Sequence, residues 1–207
     1  VSTSNLSKVT DLVLNEHTLK ESKVYPAGLL SDEQIEHYAR LLVEKCQEQA
    51  DSGAIDFRVI VEGIPFRVNV QYPQTGRRFF VRALDPNVEP LKPGGQVSKA
   101  IVKQLRSPSL NQGGLVLVSG PPGCGKSTTI ARTVAARLHD NGGVAWCLEN
   151  PIEFLLEGQH GNGLCWQREV EQGGYGQAMR DVMRCYPVGQ PGILTVGEVR
   201  DQETADH

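Results

Sequence analysis

The 207-residue sequence has no apolar run near the ~20 residues a bilayer span needs. Its first stretch, VSTSNLSKVTDL, lacks a basic region followed by an apolar core, so a signal peptide is not expected there. It has no excess of either charge: Lys+Arg 21 stand against Asp+Glu 24, a net −3 that gives no whole-chain case for nucleic-acid binding. None of the five cysteines (Cys46, Cys124, Cys147, Cys165, Cys185) forms a CxxC pair, which argues against a zinc or disulfide framework and for reduced thiols in a cytosolic protein. No two histidines lie four residues apart, as a metal-binding helix requires. Internal repeats and low-complexity tracts are absent as well. What remains is an ordinary globular mix, 39% hydrophobic and 22% charged, in a chain able to bury a sizeable core as one large domain or two small ones. The chain opens on Val1 and closes on DQETADH, the opening turn of a helix, so a fragment trimmed at both ends is expected.

Two patterns divide the chain. Residues 31–49 predict a helix with a capping box, Ser31 followed by Gln34, and with Ile35, Tyr38, Leu42 and Cys46 on one face. Alternating runs at 55–61 and 66–71 flank Glu62-Gly63-Ile64-Pro65 and predict a hairpin, with a third strand at 78–84. Several strands around one helix make a small α+β unit. Residues 85–95 hold Pro86, Pro90, Pro93 and Gly94-Gly95, a linker that sets domains at 1–90 and 91–207. Beyond it, helices are expected at 97–105, 127–138 and 175–184, and strands at 115–118, 144–148 and 193–196. That alternation implies an α/β unit with a largely parallel sheet.

Gly120-Pro121-Pro122-Gly123-Cys124-Gly125-Lys126-Ser127 satisfies GxxxxGK[ST], with Thr128 following. Each residue type has a reason. Glycines let backbone N–H groups curl around phosphates in dihedrals closed to other residues. Lys126 places a compact positive charge on the β/γ oxygens, and the Ser127 hydroxyl can join the shell of Mg²⁺. The helix that starts there points its positive end at the triphosphate. An apolar strand before the motif and an amphipathic helix after it identify a phosphate loop for ATP. Two acidic positions lie downstream. The strand Ile193-Leu194-Thr195-Val196 ends in Gly197-Glu198, and strands that end in an acid hold Mg²⁺ and aim water in such enzymes. Glu149 and Glu153 follow the strand after the phosphate-loop helix, at the edge where parallel sheets bind ligands.

Taken in order, the phosphate loop, Glu149-Asn150-Pro151-Ile152-Glu153-Phe154, Gln167-Arg168-Glu169-Val170 and Val196-Gly197-Glu198-Val199-Arg200-Asp201 resemble the ATPases of type II and type IV secretion and of type IV pili. The likeness covers most of residues 50–205, including Phe66-Arg67-Val68-Asn69-Val70, and is nearest to pilus-retraction and conjugation or type IVB secretion motors. It implies an N-terminal PAS-like α+β domain, a flexible linker and a RecA-like P-loop ATPase domain whose C-terminal part is missing. It also implies a hexameric ring in the full-length protein, with nucleotide held between the domains. The ring would stand at the inner membrane through platform proteins, with no direct nucleic-acid contact. By position, Glu198 matches the Walker B glutamate, and Glu149 and Glu153 match the acidic box. Arginines of the first domain reach the nucleotide in this family. Arg67, Arg77, Arg78 and Arg82 are the candidates, of which Arg78 and Arg82 enter the cofactor-binding set.

The chain departs from the family pattern at several points. Asn150 replaces an aspartate, Pro65 replaces an arginine, residues 186–192 form a longer lead lacking acids, and the histidine box lies beyond the end; apart from the family pattern, Gly197 holds the position where P-loop enzymes usually have an aspartate. Three functions are therefore weighed. The first is a motor subunit that hydrolyses ATP. The second is a regulatory or assembly module that binds nucleotide without hydrolysis. The third, a nucleic-acid translocase, is weakened by the acidic charge and the lack of aromatic–basic clusters.

Overall fold

Helix α1 (Asp32–Asp51) begins where local chemistry places it: the Ser31 hydroxyl accepts from the Gln34 amide, and the Gln34 side chain accepts from the Ser31 N–H. Its buried stripe of Tyr38, Ala39, Leu42, Val43, Cys46 and Ala50 has the spacing of one helical face. The structure is a computed structural model that describes residues 6–84, 88–94, 97–121, 123–170 and 174–197. The chain falls into two units, Val1–Pro86 and Asn87–His207.

In the first unit, α1 covers one face of a five-stranded antiparallel sheet. Its strands are β1 (Asp11–Asn15), β2 (Lys23–Tyr25), β3 (Asp56–Val61), β4 (Ile64–Gln71) and β5 (Arg78–Ala83), in the order β2-β1-β5-β4-β3. The period of two along each strand sends Phe57, Val59, Val61, Phe66, Val68, Val70, Phe79 and Val81 into the core beside Leu12 and Leu14. The hairpin and third strand match the expected runs to within two residues at each end, whereas β1 and β2 were not anticipated. Both are short, and Lys23–Tyr25 buries only its central residue, which leaves almost no alternation to read. On the other face the register sets Arg58 opposite Arg67, Arg67 opposite Arg82 and Arg82 opposite Asp11.

The second unit is a mixed α/β fold. Its helices are α2 (Lys99–Leu105), α3 (Lys126–Asn141) and α4 (Tyr175–Val182), and its strands are β6 (Gly143–Glu149), β7 (Gly158–His160), β8 (Gly163–Glu169) and β9 (Gly192–Val196). The sheet order is β7-β8-β6-β9, with β6 parallel to both β8 and β9 and only β7 antiparallel. Helix α3 packs Ala131, Val134, Ala135 and Leu138 against Ala145, Cys147 and Cys165 on one face. On the opposite face, α4 sets Tyr175, Ala178, Met179 and Val182 against Leu148 and Val170. Arg137, 7% exposed, is held by the carbonyls of Leu105 (2.7 Å) and Ser107 (3.0 Å) and by the Asn111 side chain, tying α3 to the turn after α2.

One expected strand is not formed. Residues 115–118 are paired with no strand, and Leu115 and Leu117 are 89% and 80% exposed. An apolar run is a strand only when a neighbour takes its hydrogen bonds, and among the described residues no strand does so for 115–118. The tight β7–β8 hairpin, missed from the sequence, approaches α3 so closely that a Cβ at Gly163 would lie 2.8 Å from Leu138 Cδ2.

Candidate functional site

The candidate phosphate loop takes glycine conformations. Gly123 and Gly125 have φ of 76° and 88°, the left-handed region that other residues avoid. Gly125 caps α3, and the Thr129 amide makes the bond to its carbonyl at 2.9 Å. The N–H groups of Lys126, Ser127 and Thr128 precede that first bond and, by helix geometry, point outward from the terminus. The Lys126 ammonium folds back over the loop and donates to the carbonyls of Gly120 (3.0 Å) and Pro121 (3.1 Å). Ser127 and Cys124 are exposed, Thr128 is half-buried, and Pro122 lies outside the described residues.

Helix α3 and strand β6 run in opposite directions, joined by the turn at Gly142. Sixteen residues of helix and seven of strand both cover about 24 Å. The start of α3 therefore lies toward the carboxyl edge of the sheet, where β6 delivers Glu149. This carboxylate is enclosed: Oε2 accepts from the Glu153 backbone amide (3.2 Å), and Oε1 accepts from the Gln167 side-chain amide (3.1 Å). Burial pushes the Glu149 carboxyl above its usual range, the two hydrogen bonds pull it back, and the neighbouring charges of Glu153 and Glu169 push it up again.

Glu149 and Glu153 thus come together through a backbone contact. The chain leaving β9 passes the same carboxylate, since the Gly197 amide donates to the Leu148 carbonyl at 2.8 Å. A Cβ on Gly197 would stand 3.2 Å from Glu149 Cγ and 3.3 Å from its Cα, so the chain passes close enough to Glu149 that any side chain there would press on it. Glu198, the expected water-positioning acid, lies outside the described residues.

The four candidate arginines belong to the first unit, and their surroundings differ. Arg67 makes two hydrogen bonds to Asp56 (3.2 and 3.0 Å). Arg77 lies over the Phe79 ring and is held by both Glu16 and Asp51. Arg78 donates only to the Thr75 hydroxyl, at 3.4 Å, among the bonds described for it, and Arg82 donates to Asp11 at 2.7 Å. Gln167, present in the sequence only as part of the motif Gln167-Arg168-Glu169-Val170, joins the candidate site with a role that spacing did not suggest. It reaches Glu149 because β8 pairs with β6, in a register that places Gln167 beside Cys147 and Glu169 beside Glu149.

A family model described as "Type II/IV secretion system protein" matches residues 41–207. The "Type IV pilus ATPase PilU" of Pseudomonas aeruginosa is 29% identical over 161 residues, 76% of this chain and 39% of that protein. The "Type IV pilus retractation ATPase PilT" of the same species is 34% identical over 154 residues, 72% of this chain and 41% of that protein. A "Putative type II secretion system protein E" of Escherichia coli K12 is 31% identical over 188 residues, covering 90% of this chain and 36% of that protein. The chain therefore spans 36–41% of the length of these curated relatives. Among solved structures, the pilus retraction motor PilT with bound ADP superposes with a TM-score of 0.70 at 24% identity, over 100% of this chain and 62% of that one. The ATPase DotB of Legionella pneumophila gives a TM-score of 0.66 at 21% identity, over 98% and 58%. At that identity the likeness is one of fold. With the family model matched across both units, the chain belongs to the Type II/IV secretion system protein family.

Proposed function

We propose that the chain is the nucleotide-binding part of a motor ATPase subunit serving a type IV pilus, a conjugation apparatus or a type II/IV secretion system. The observation that carries this is the phosphate loop at the start of α3, set toward the same sheet edge as the enclosed carboxylate of Glu149. The first unit then corresponds to the PAS-like domain and the second to the RecA-like domain. ATP lies along Gly120–Thr128 with its β/γ phosphates on Lys126 and the freed amides. The exposed Ser127 hydroxyl suits an oxygen-seeking Mg²⁺, which when bound neutralises charge on the phosphates.

Glu198 orients the attacking water, while Glu149 and Glu153 supply the acidic surroundings in which that water is polarised. Arg78 and Arg82, less tightly engaged than Arg67 and Arg77, are the arginines we assign to phosphate contact. In the full-length protein the subunits form a hexameric ring in the cytoplasm, attached to the inner membrane through platform proteins. Among the described residues no helix is long and apolar enough to cross a membrane.

Asn150 favours a second reading, a module that binds nucleotide without hydrolysing it, since it removes a charge from the acidic box. Calorimetric titration with Mg-ATP tests the binding site: the parent chain binds, and Lys126→Ala loses phosphate affinity. In the full-length protein Glu198→Gln binds ATP and stops turning it over. Turnover at the parent rate would refute the assignment of Glu198, and a parent that binds but never hydrolyses would establish the second reading.

A further inference from the structure

The Gln167 side chain uses its whole hydrogen-bonding capacity. Its oxygen accepts from the backbone amides of Leu156 (2.7 Å) and Glu157 (3.0 Å). Its nitrogen donates to the Phe154 carbonyl (2.8 Å) and to Glu149 Oε1 (3.1 Å). A primary amide offers two donors and an oxygen with two lone pairs, and all four are engaged. The orientation of the amide is therefore determined. Turning it over would set its oxygen against the Phe154 carbonyl and the Glu149 carboxylate, and its N–H groups against two amide donors.

The set of partners also explains why the residue is glutamine. Glutamate of the same length could still accept from Leu156 and Glu157, but could donate to neither Phe154 nor Glu149 when ionised. Leucine or methionine could do neither. The segment from Asn150 to Glu157 carries no helix or strand of its own, and it also holds the Glu153 amide that bonds the other oxygen of Glu149. One side chain on β8 thus fixes Glu149 directly at one oxygen, and indirectly at the other through the loop.

We propose that Gln167 is a positioning residue for ATP hydrolysis, clamping the Glu149 carboxylate and the loop after β6 in the geometry that the reaction uses. This rests on the reading of Glu149 as a catalytic carboxylate. The consequence is an unequal division of labour within one amide: the oxygen holds only the loop, and the nitrogen holds the acid while sharing the loop through the Phe154 carbonyl. Binding of ATP at the phosphate loop does not pass through either half, so loss of the nitrogen half affects turnover rather than affinity.

The test uses the full-length protein with three substitutions measured side by side. Gln167→Glu retains the acceptor that staples the loop and sets a negative charge against Glu149. It is expected to melt below the parent, because a second carboxylate then faces Glu149 and the Phe154 carbonyl with no donor, and while folded to keep a KM for ATP within twofold of the parent and lose tenfold or more in kcat. Gln167→Met, of similar reach and without charge, is judged by the same split between kcat and KM if the glutamate variant melts early. Glu149→Gln reports on the underlying assignment. If it is inactive while Gln167→Glu and Gln167→Met turn over at the parent kcat, the clamp is overturned and the Glu149 reading stands. If Glu149→Gln itself turns over at the parent rate, both are overturned.

Discussion

At Glu16 two opposing effects can be compared on one side chain. The Arg77 guanidinium holds this carboxyl below its ordinary value of 4.5, burial works against it, and the Gln47 side chain at 2.9 Å helps Arg77. Because the folded value is the lower one, the pair stabilises the first unit fully above about pH 4.5 and is lost as pH falls through the folded value. Urea melts of the parent between pH 7 and pH 3 should therefore show a falling midpoint that Glu16→Gln flattens; parallel curves would contradict the assignment. Removing the cation is more severe, since Glu16 stays 10% exposed with its guanidinium gone and only Gln47 and the more distant His17 beside it, and Arg77→Met should cost about 3 kcal/mol. Elsewhere, burial alone raises the Cys46 thiol to about 12, which makes it an inert core atom rather than a reactive one.

Helix α3 shows how an element can be secured by one residue far from its functional end. Arg137 faces backbone carbonyls and an amide rather than a carboxylate, and burial lowers its proton affinity. Arg137→Ala would leave three acceptors without a charged donor, so a loss of about 3 kcal/mol in the second unit is expected from chemical denaturation. Lys in its place should recover only part of that, having no planar fork. The same elements show what a sequence discloses. Helix α1 and the β3–β4–β5 meander were legible because their signals are local, a capping box and an alternation with one face in water. Strand β8 was not, since it is covered on both sides and its pattern of buried and half-buried residues has no clean period. Its one local sign was the Gly161-Asn162 turn. The candidate phosphate loop stood out for the same reason as α1, since its pattern lies in eight consecutive residues. Gln167 stood in one of the family-like motifs, but its role was hidden because its partners lie 10 to 18 residues away and meet only through the β6–β8 register.

Each unit has a core of its own, one of sheet and α1, the other of a sheet between α3 and α4. Calorimetry of the chain is therefore expected to resolve two unfolding transitions, and Mg-ATP should raise the one belonging to the second unit. At a hundred times the dissociation constant the gain is about 2.7 kcal/mol. A single transition, or one in which the first unit responds, would show that the cores are not independent. The cysteines make the same distinction accessible to chemistry. Cys46 is buried in the first unit, Cys147 and Cys165 lie 3.6 Å apart inside the second, and Cys124 and Cys185 are exposed. In an alkylating solution the chain is therefore a pair of clocks. Two thiols react at once, with Cys124 slowed when nucleotide fills the loop around it. The other three wait for their own unit to open, so mass spectrometry over time reads the opening rate of each half without any label having been introduced.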